Sequence, residues 1–195
     1  MLISAEFVTS AAGADDFPRD GLPEVALVGR SNVGKSSLLN ALMRRPLART
    51  SAAAGKTRLA NFFRVQRGSA PALYLVDLPG YGYARGGDAS AHEFTRLTDA
   101  YFARPGDRAV LLLVDSRHPG LESDRQAWKW LHAQPFAHGV IGTKVDKLTR
   151  AERARHSRQF STLFDMPVML VSAHTGEGLD ELWKMIASLP RPTAA

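Results

Sequence analysis

The chain contains no cysteine in its 195 residues. Disulfide staples, zinc–thiolate centres and cysteine nucleophiles are therefore excluded. Long apolar runs are missing as well. The longest, Ala109 to Val114, has the length of a strand and falls far short of the roughly 18 residues a membrane helix needs. The opening MLISAEFVTSAAGADDF lacks a basic stretch followed by an apolar core, so no secretory leader is expected. A cytoplasmic location is the resulting expectation. No internal repeat or low-complexity block is present. Hydrophobic residues make up 45% and charged residues 23%, an ordinary globular balance that argues against disorder and against a collagen-like chain. The length suits one domain.

Acidic residues are scarce in one region. Between Val25 and Gly87 the only acid is Asp77, against ten bases: Arg30, Lys35, Arg44, Arg45, Arg49, Lys56, Arg58, Arg64, Arg67 and Arg85. That window carries a net +9, while the remaining 15 basic and 18 acidic residues give −3. A one-sided field of this kind suits a polyanion such as nucleic acid. A solvated arginine-rich surface is the alternative reading.

Short apolar runs alternate with amphipathic stretches. Strands are predicted over Glu24–Val28, Leu59–Val65, Leu73–Val76, Ala109–Val114, Gly139–Gly142 and Pro167–Val171. Helical spacing marks Lys35–Met43, Leu121–Ala133, Arg150–Leu163 and Gly178–Leu189. The segment from Ala11 to Pro23 reads as loop. Repeated strand–helix alternation predicts an α/β domain with a mostly parallel sheet, whose ligands bind beyond the carboxyl ends of the strands.

The strongest motif lies at such an end. Gly29-Arg30-Ser31-Asn32-Val33-Gly34-Lys35-Ser36 fits GxxxxGK[ST], follows an apolar strand and opens a helix. The glycines let the backbone curl so that successive N–H groups face phosphate oxygens, and the helix N-terminus adds positive charge. Lys35 is placed for the β- and γ-phosphates and Ser36 for Mg²⁺. Four further elements follow in order. Thr57, 21 residues past Ser36, can supply a second hydroxyl to Mg²⁺ and an N–H to the γ-phosphate. Asp77-Leu78-Pro79-Gly80 matches DxxG, with Asp77 holding Mg²⁺ through water and the Gly80 N–H reaching the γ-phosphate. Thr143-Lys144-Val145-Asp146 matches [NT]KxD. Asp146 can accept guanine N1–H and its 2-amino group together, whereas adenine would leave the carboxylate unsatisfied. The Lys144 stem can lie over the base. Ser172-Ala173 suits the loop that contacts guanine O6. An ATP-using kinase is disfavoured by this base signature.

With these five elements in order, the chain resembles the TRAFAC class of GTPases, and more narrowly the EngB (YihA/YsxC) family. The resemblance rests on GRSNVGKSSLLNAL, GKTR, LVDLPGYGYA, LLLVDSRHPGLESD and GTKVDK. It implies a single P-loop GTPase domain with a mostly parallel six-stranded sheet, one antiparallel edge strand and helices on both faces. The expected division is an N-terminal extension over 1–23, partly loop, a G domain over 24–190 and a short tail over 191–195. The first switch is expected at Gly55, Lys56, Thr57, Arg58 and Leu59, the second at Asp77, Leu78, Pro79 and Gly80. The family's role implies GTP and GDP binding with Mg²⁺, action as a switch in large ribosomal subunit assembly, and an association with cell division and septation. A monomer contacting the large subunit through rRNA or ribosomal proteins is expected. Two points stay open. Fast GTPases place a Gln after DxxG, but Tyr81 stands there, so no catalytic residue is identified and turnover is expected to be slow. The alternative is a GTP-stabilised RNA-binding or septum-associated module without significant turnover. Asn32 either helps bind K⁺, as in related GTPases, or stabilises its loop.

Overall fold

The computed structural model describes residues 2–49, 59–81 and 88–189. In chain order the elements are β1 (Ile3–Ala11), β2 (Glu24–Gly29), α1 (Lys35–Met43), β3 (Ala60–Arg67), β4 (Leu73–Asp77), α2 (Asp88–Ala103), β5 (Arg108–Asp115), α3 (Glu122–His132), β6 (Ala137–Thr143), α4 (Arg150–Phe164), β7 (Met169–Leu170) and α5 (Leu179–Ser188). Every residue of β5 is buried, which requires cover on both faces of the sheet. Its side chains alternate between two cores. Ala109, Leu111 and Leu113 pack with Leu38 and Leu42 of α1 and with Leu182, Trp183 and Ile186 of α5. Val110, Leu112 and Val114 pack with Tyr101 of α2, Leu131 of α3, and Phe160 and Phe164 of α4. Each fully buried side chain of this size contributes about 1.5–3 kcal/mol, so the two layers hold the sheet rigidly between them.

The sheet has seven strands in the order β1-β3-β4-β2-β5-β6-β7. The five from β4 to β7 in this order are mutually parallel. β3 runs antiparallel to β4, and β1 antiparallel to β3. The α/β class and the mostly parallel sheet agree with the sequence reading. The strand count is seven rather than six, and the antiparallel strand β3 is not at the edge. Ile3–Ala11 adds an outer strand beside it. The irregular pattern of β1 explains why periodicity does not reveal it. Its register shifts between Phe7 and Thr9, and only Ala5 and Ala11 are buried. A bulge of this kind breaks the two-residue alternation. Helix α2 is a further element that the sequence reading does not include; Leu97, Tyr101 and Phe102 near its end are buried. β7 keeps only two residues of the predicted Pro167–Val171 strand.

The motifs among the described residues fall at the same end of the sheet. The loop after β2, Asp77 at the end of β4, Asp115 at the end of β5, Thr143 at the end of β6 and Ser172 just past β7 lie at carboxyl ends of parallel strands. This is where an open α/β sheet leaves a crevice for a ligand.

Candidate functional site

The turn between β2 and α1 is held open by backbone geometry. Gly34 has φ 108°, a conformation that side chains oppose, and Asn32 has φ 61°. A Cβ on Gly29 would come within 2.8 Å of the Leu113 carbonyl oxygen on β5, so only glycine lets the loop leave the sheet there. The Leu38 N–H donates to the Gly34 carbonyl at 2.8 Å, so helical hydrogen bonding starts at the loop's last glycine.

Lys35 and Asp77 face each other inside this loop. Lys35 is 9% exposed and its ammonium donates to the Gly29 carbonyl at 3.4 Å. Burial lowers its pKa, and the Asp77 charge opposes that shift. Asp77 is 2% exposed, and burial raises its pKa against the opposing pull of Lys35 and the Ser36 hydrogen bond. The Ser36 hydroxyl donates to Asp77 Oδ2 at 3.0 Å, whereas Asp77 Oδ1 is buried with no hydrogen-bond partner. A buried carboxylate oxygen without a donor, beside a hydroxyl, fits a hard cation with oxygen ligands. Among the described residues there is no group of three or more His, Asp or Glu that could cage a metal alone. Mg²⁺ fits such a site, since it keeps water and substrate phosphate oxygens among its ligands.

The second half of the site is tied to the first. Thr143 is buried, and its hydroxyl donates to the Val33 carbonyl at 2.7 Å. Lys144 takes a left-handed conformation, φ 61°, and its ammonium donates to the Asn32 carbonyl at 2.6 Å and to Asp115 Oδ2 at 2.9 Å. Asp146 Oδ1 accepts from the Ser172 hydroxyl at 2.6 Å, and that bond chiefly holds its pKa below the ordinary value. Ser172 in turn accepts backbone N–H groups from His174 and Thr175. Asp146 is thus kept ionised and oriented, an acceptor suited to a donor pair on a base edge. Ala173 is partly buried against the core below this loop.

Two acidic residues outside the sequence motifs, Asp115 and Asp124, belong to the same crevice. Asp115 binds the Arg117 guanidinium through two bonds, at 2.9 and 2.7 Å, in addition to Lys144. Burial pushes its pKa up, yet the bonds from Arg117 and Lys144 overcome this and hold the carboxyl well below the usual range. Asp124, in the first turn of α3, is 2% exposed. It accepts from the Tyr81 hydroxyl at 3.0 Å and lies 3.6 Å from Arg30 Nε. The DSR and ESD triplets carry these residues, but no local spacing marks them.

The structure brings Gly29, Arg30, Ser31, Asn32, Val33, Gly34, Lys35 and Ser36 together with Asp77, Leu78, Pro79 and Gly80. Thr143, Lys144, Asp146, Ser172 and Ala173 adjoin them. A Cβ on Gly80 would lie 2.8 Å from Ser31 Oγ and 3.0 Å from Lys35 Nζ. Leu59 is exposed just before β3. Gly55, Lys56, Thr57 and Arg58 lie outside the described residues. Among the described residues no helix is long and apolar enough to cross a membrane.

A comparison with known proteins matches residues 24–144 to the family described as 50S ribosome-binding GTPase. The probable GTP-binding protein EngB of Pelotomaculum thermopropionicum is 44% identical over 94% of this chain and 93% of its own length. Among solved structures, Era in complex with MgGDPNP and nucleotides 1506–1542 of 16S ribosomal RNA superposes with a TM-score of 0.77 at 23% identity, covering 91% of this chain. The present chain spans 59% of that Era chain. NFeoB from S. thermophilus bound to GDP.AlF4⁻ and K⁺ superposes with a TM-score of 0.64 at 22% identity, over 86% of this chain and 62% of its own. The two structures share the fold, and the sequence matches settle the family: this chain belongs to the EngB family of P-loop GTPases.

Proposed function

We propose that this GTP-binding protein is a slow GTPase that acts as a nucleotide-controlled switch in assembly of the large ribosomal subunit. The observation that carries the ribosomal part is the match of residues 24–144 to the family described as 50S ribosome-binding GTPase. The Era structure with 16S ribosomal RNA lends support, since the same fold there meets rRNA. In this reading the loop from Gly29 to Ser36, with Thr57 and Gly80, holds the phosphates. Thr143, Lys144, Asp146, Ser172 and Ala173 hold guanine. Ser36, Thr57 and, through water, Asp77 hold Mg²⁺, which when bound neutralises phosphate charge. The orphaned Asp77 Oδ1 supports that role. Asn32 is assigned to a K⁺ beside the phosphates; the NFeoB structure holds K⁺. The G domain spans residues 24–190, and the protein works as a cytoplasmic monomer with a part in cell division and septation.

Slow turnover follows from the Tyr81 side chain. Its hydroxyl donates to Asp124, and a phenol cannot orient water as a carboxamide does. Two measurements test the reading. Co-sedimentation with 50S particles should differ between GDP and a non-hydrolysable GTP analogue. Single-turnover hydrolysis should accelerate when 50S particles are added. Equal sedimentation in both states and unchanged hydrolysis would leave a GTP-stabilised module in its place.

A further inference from the structure

Two histidines meet at the end of the sheet remote from the crevice. His132 closes α3, and His138 is the second residue of β6. His132 Nδ1 lies 3.2 Å from His138 Nε2. On the other side of its ring, His138 Nδ1 lies 2.8 Å from the Phe136 carbonyl oxygen. A carbonyl only accepts, so Nδ1 of His138 carries a proton and its neutral ring presents a lone pair at Nε2. His132 is then the donor between the two rings. Trp128, one turn earlier on α3, packs on both imidazoles, with 5.2 Å between ring centroids in each case. Trp128 is itself held against Phe164 of α4 at 5.6 Å.

This arrangement has the parts of a metal site. An imidazole nitrogen binds Zn²⁺ at about 2.0–2.1 Å, so two of them on a tetrahedral ion stand about 3.3 Å apart. The observed 3.2 Å matches that spacing. The Phe136 carbonyl fixes the His138 tautomer in the way an outer partner orients a ligating histidine. His132 is exposed, so its ring is free to turn its Nδ1 lone pair toward a shared ion. The proton then sits on Nε2 of the same ring, and no charge is lost. The last turn of α3 adds the negative end of a helix, which favours a cation. Among the described residues no third His, Asp or Glu joins the pair, so water completes the coordination and the ion is exchangeable.

We propose that His132 and His138 form a two-histidine site for a divalent late-transition metal ion of the Zn²⁺ or Cu²⁺ kind. Imidazole suits such ions, whereas Mg²⁺ takes oxygen ligands and does not compete. The site is separate from the nucleotide crevice. His138 and Thr143 stand five residues apart on β6, about 16 Å along the strand.

The test uses the full chain loaded with Mg²⁺ and GDP, titrated with Cu²⁺ while tryptophan emission is followed. Zn²⁺ is then added as competitor. Trp128 lies against both rings, so bound Cu²⁺ should quench it and Zn²⁺ should restore the signal. His132→Gln and His138→Gln should each raise the Cu²⁺ concentration for half-quenching by about tenfold or more, because a second ligand on the same scaffold acts at high effective concentration. The double variant should match the weaker single one, since one lost ligand already ends chelation. His132 is exposed, so His132→Gln tests the site without disturbing the core. His118→Gln with His174→Gln, both exposed elsewhere, should leave the curve unchanged. Equal curves for wild type and His132→Gln would overturn the proposal and leave the pair as a hydrogen bond alone. Quenching lost only with His118 and His174 would also overturn it, as adventitious surface binding.

Discussion

The Lys144 ammonium donates to the Asn32 carbonyl oxygen at 2.6 Å, joining two loops 112 residues apart in the chain. The Thr143 hydroxyl makes a parallel link to Val33 at 2.7 Å. The loop from Gly29 to Ser36 and the loop from Thr143 to Asp146 are therefore tied directly to each other. Such preorganisation lowers the ordering cost of binding.

Asp146→Asn should move base preference from guanine toward xanthine. The wild-type carboxylate is an acceptor on both oxygens, oriented by Ser172, while the amide presents a donor. Competition titration with GDP and XDP reads the change directly. Retained GDP affinity with no gain for XDP would refute the base assignment.

Lys35→Ala and Ser36→Ala should each weaken Mg²⁺–GTP binding by at least about tenfold. A charge-assisted hydrogen bond contributes roughly 1.5–3 kcal/mol, and Lys35 has its ammonium buried in the loop. For Ser36→Ala the loss should shrink when Mg²⁺ is replaced by EDTA, because the proposed function gives that hydroxyl to the metal. Equal losses with and without Mg²⁺ would argue against it as a ligand.

Asp115→Asn should cost about 1–3 kcal/mol of stability at neutral pH, less than a fully enclosed ion pair because the Arg117 partner is 41% exposed. The sign with pH follows from its depressed pKa. The stabilisation is complete above the ordinary carboxylate value near pH 4 and is lost as pH falls below it toward the folded-state value. Denaturant unfolding from pH 7 down to about pH 2 should show a steeper acid decline for wild type than for the variant. Parallel declines would show that Asp115 is not a source of acid lability.

Arg44→Glu with Arg49→Glu should weaken binding to 50S particles and leave GDP affinity within about twofold. Both side chains are exposed beyond the end of α1. Arg45, also exposed there, donates to the Ala5 carbonyl of β1 at 2.9 Å and helps hold the edge strand. Wild-type binding should fall steeply with salt, as phosphate contacts require, and the variant's slope should be shallower. Salt-independent binding equal in both proteins would remove this face from the interface.

The basic window shows how far a count along the chain can be trusted. Among the described residues, Arg64 pairs with Glu6, Arg67 with Asp180 and Arg30 with Asp124, all acids from outside the window. These partners come from β1, α5 and α3, so the field around the site is weaker than the linear sum suggests. In β1 the bulge and the exposed Phe7 and Val8 disrupt alternation, so its sequence carries no strand period.

Chain-local pattern is enough to specify the Gly29–Ser36 loop, the Asp77–Gly80 turn, the Thr143–Asp146 loop and the buried strand β5. Each of these is set by neighbours in the chain: glycines that permit a turn, consecutive backbone N–H groups, or an unbroken apolar run. Tertiary structure alone decided the roles of Asp115 and Asp124, the place of β1 at the sheet edge and the occupation of the Tyr81 hydroxyl. Those depend on partners such as Lys144, 29 residues from Asp115, and Tyr81, 43 residues from Asp124. A buried carboxylate persists only where donors converge on it, and the order of strands in the sheet decides which donors arrive.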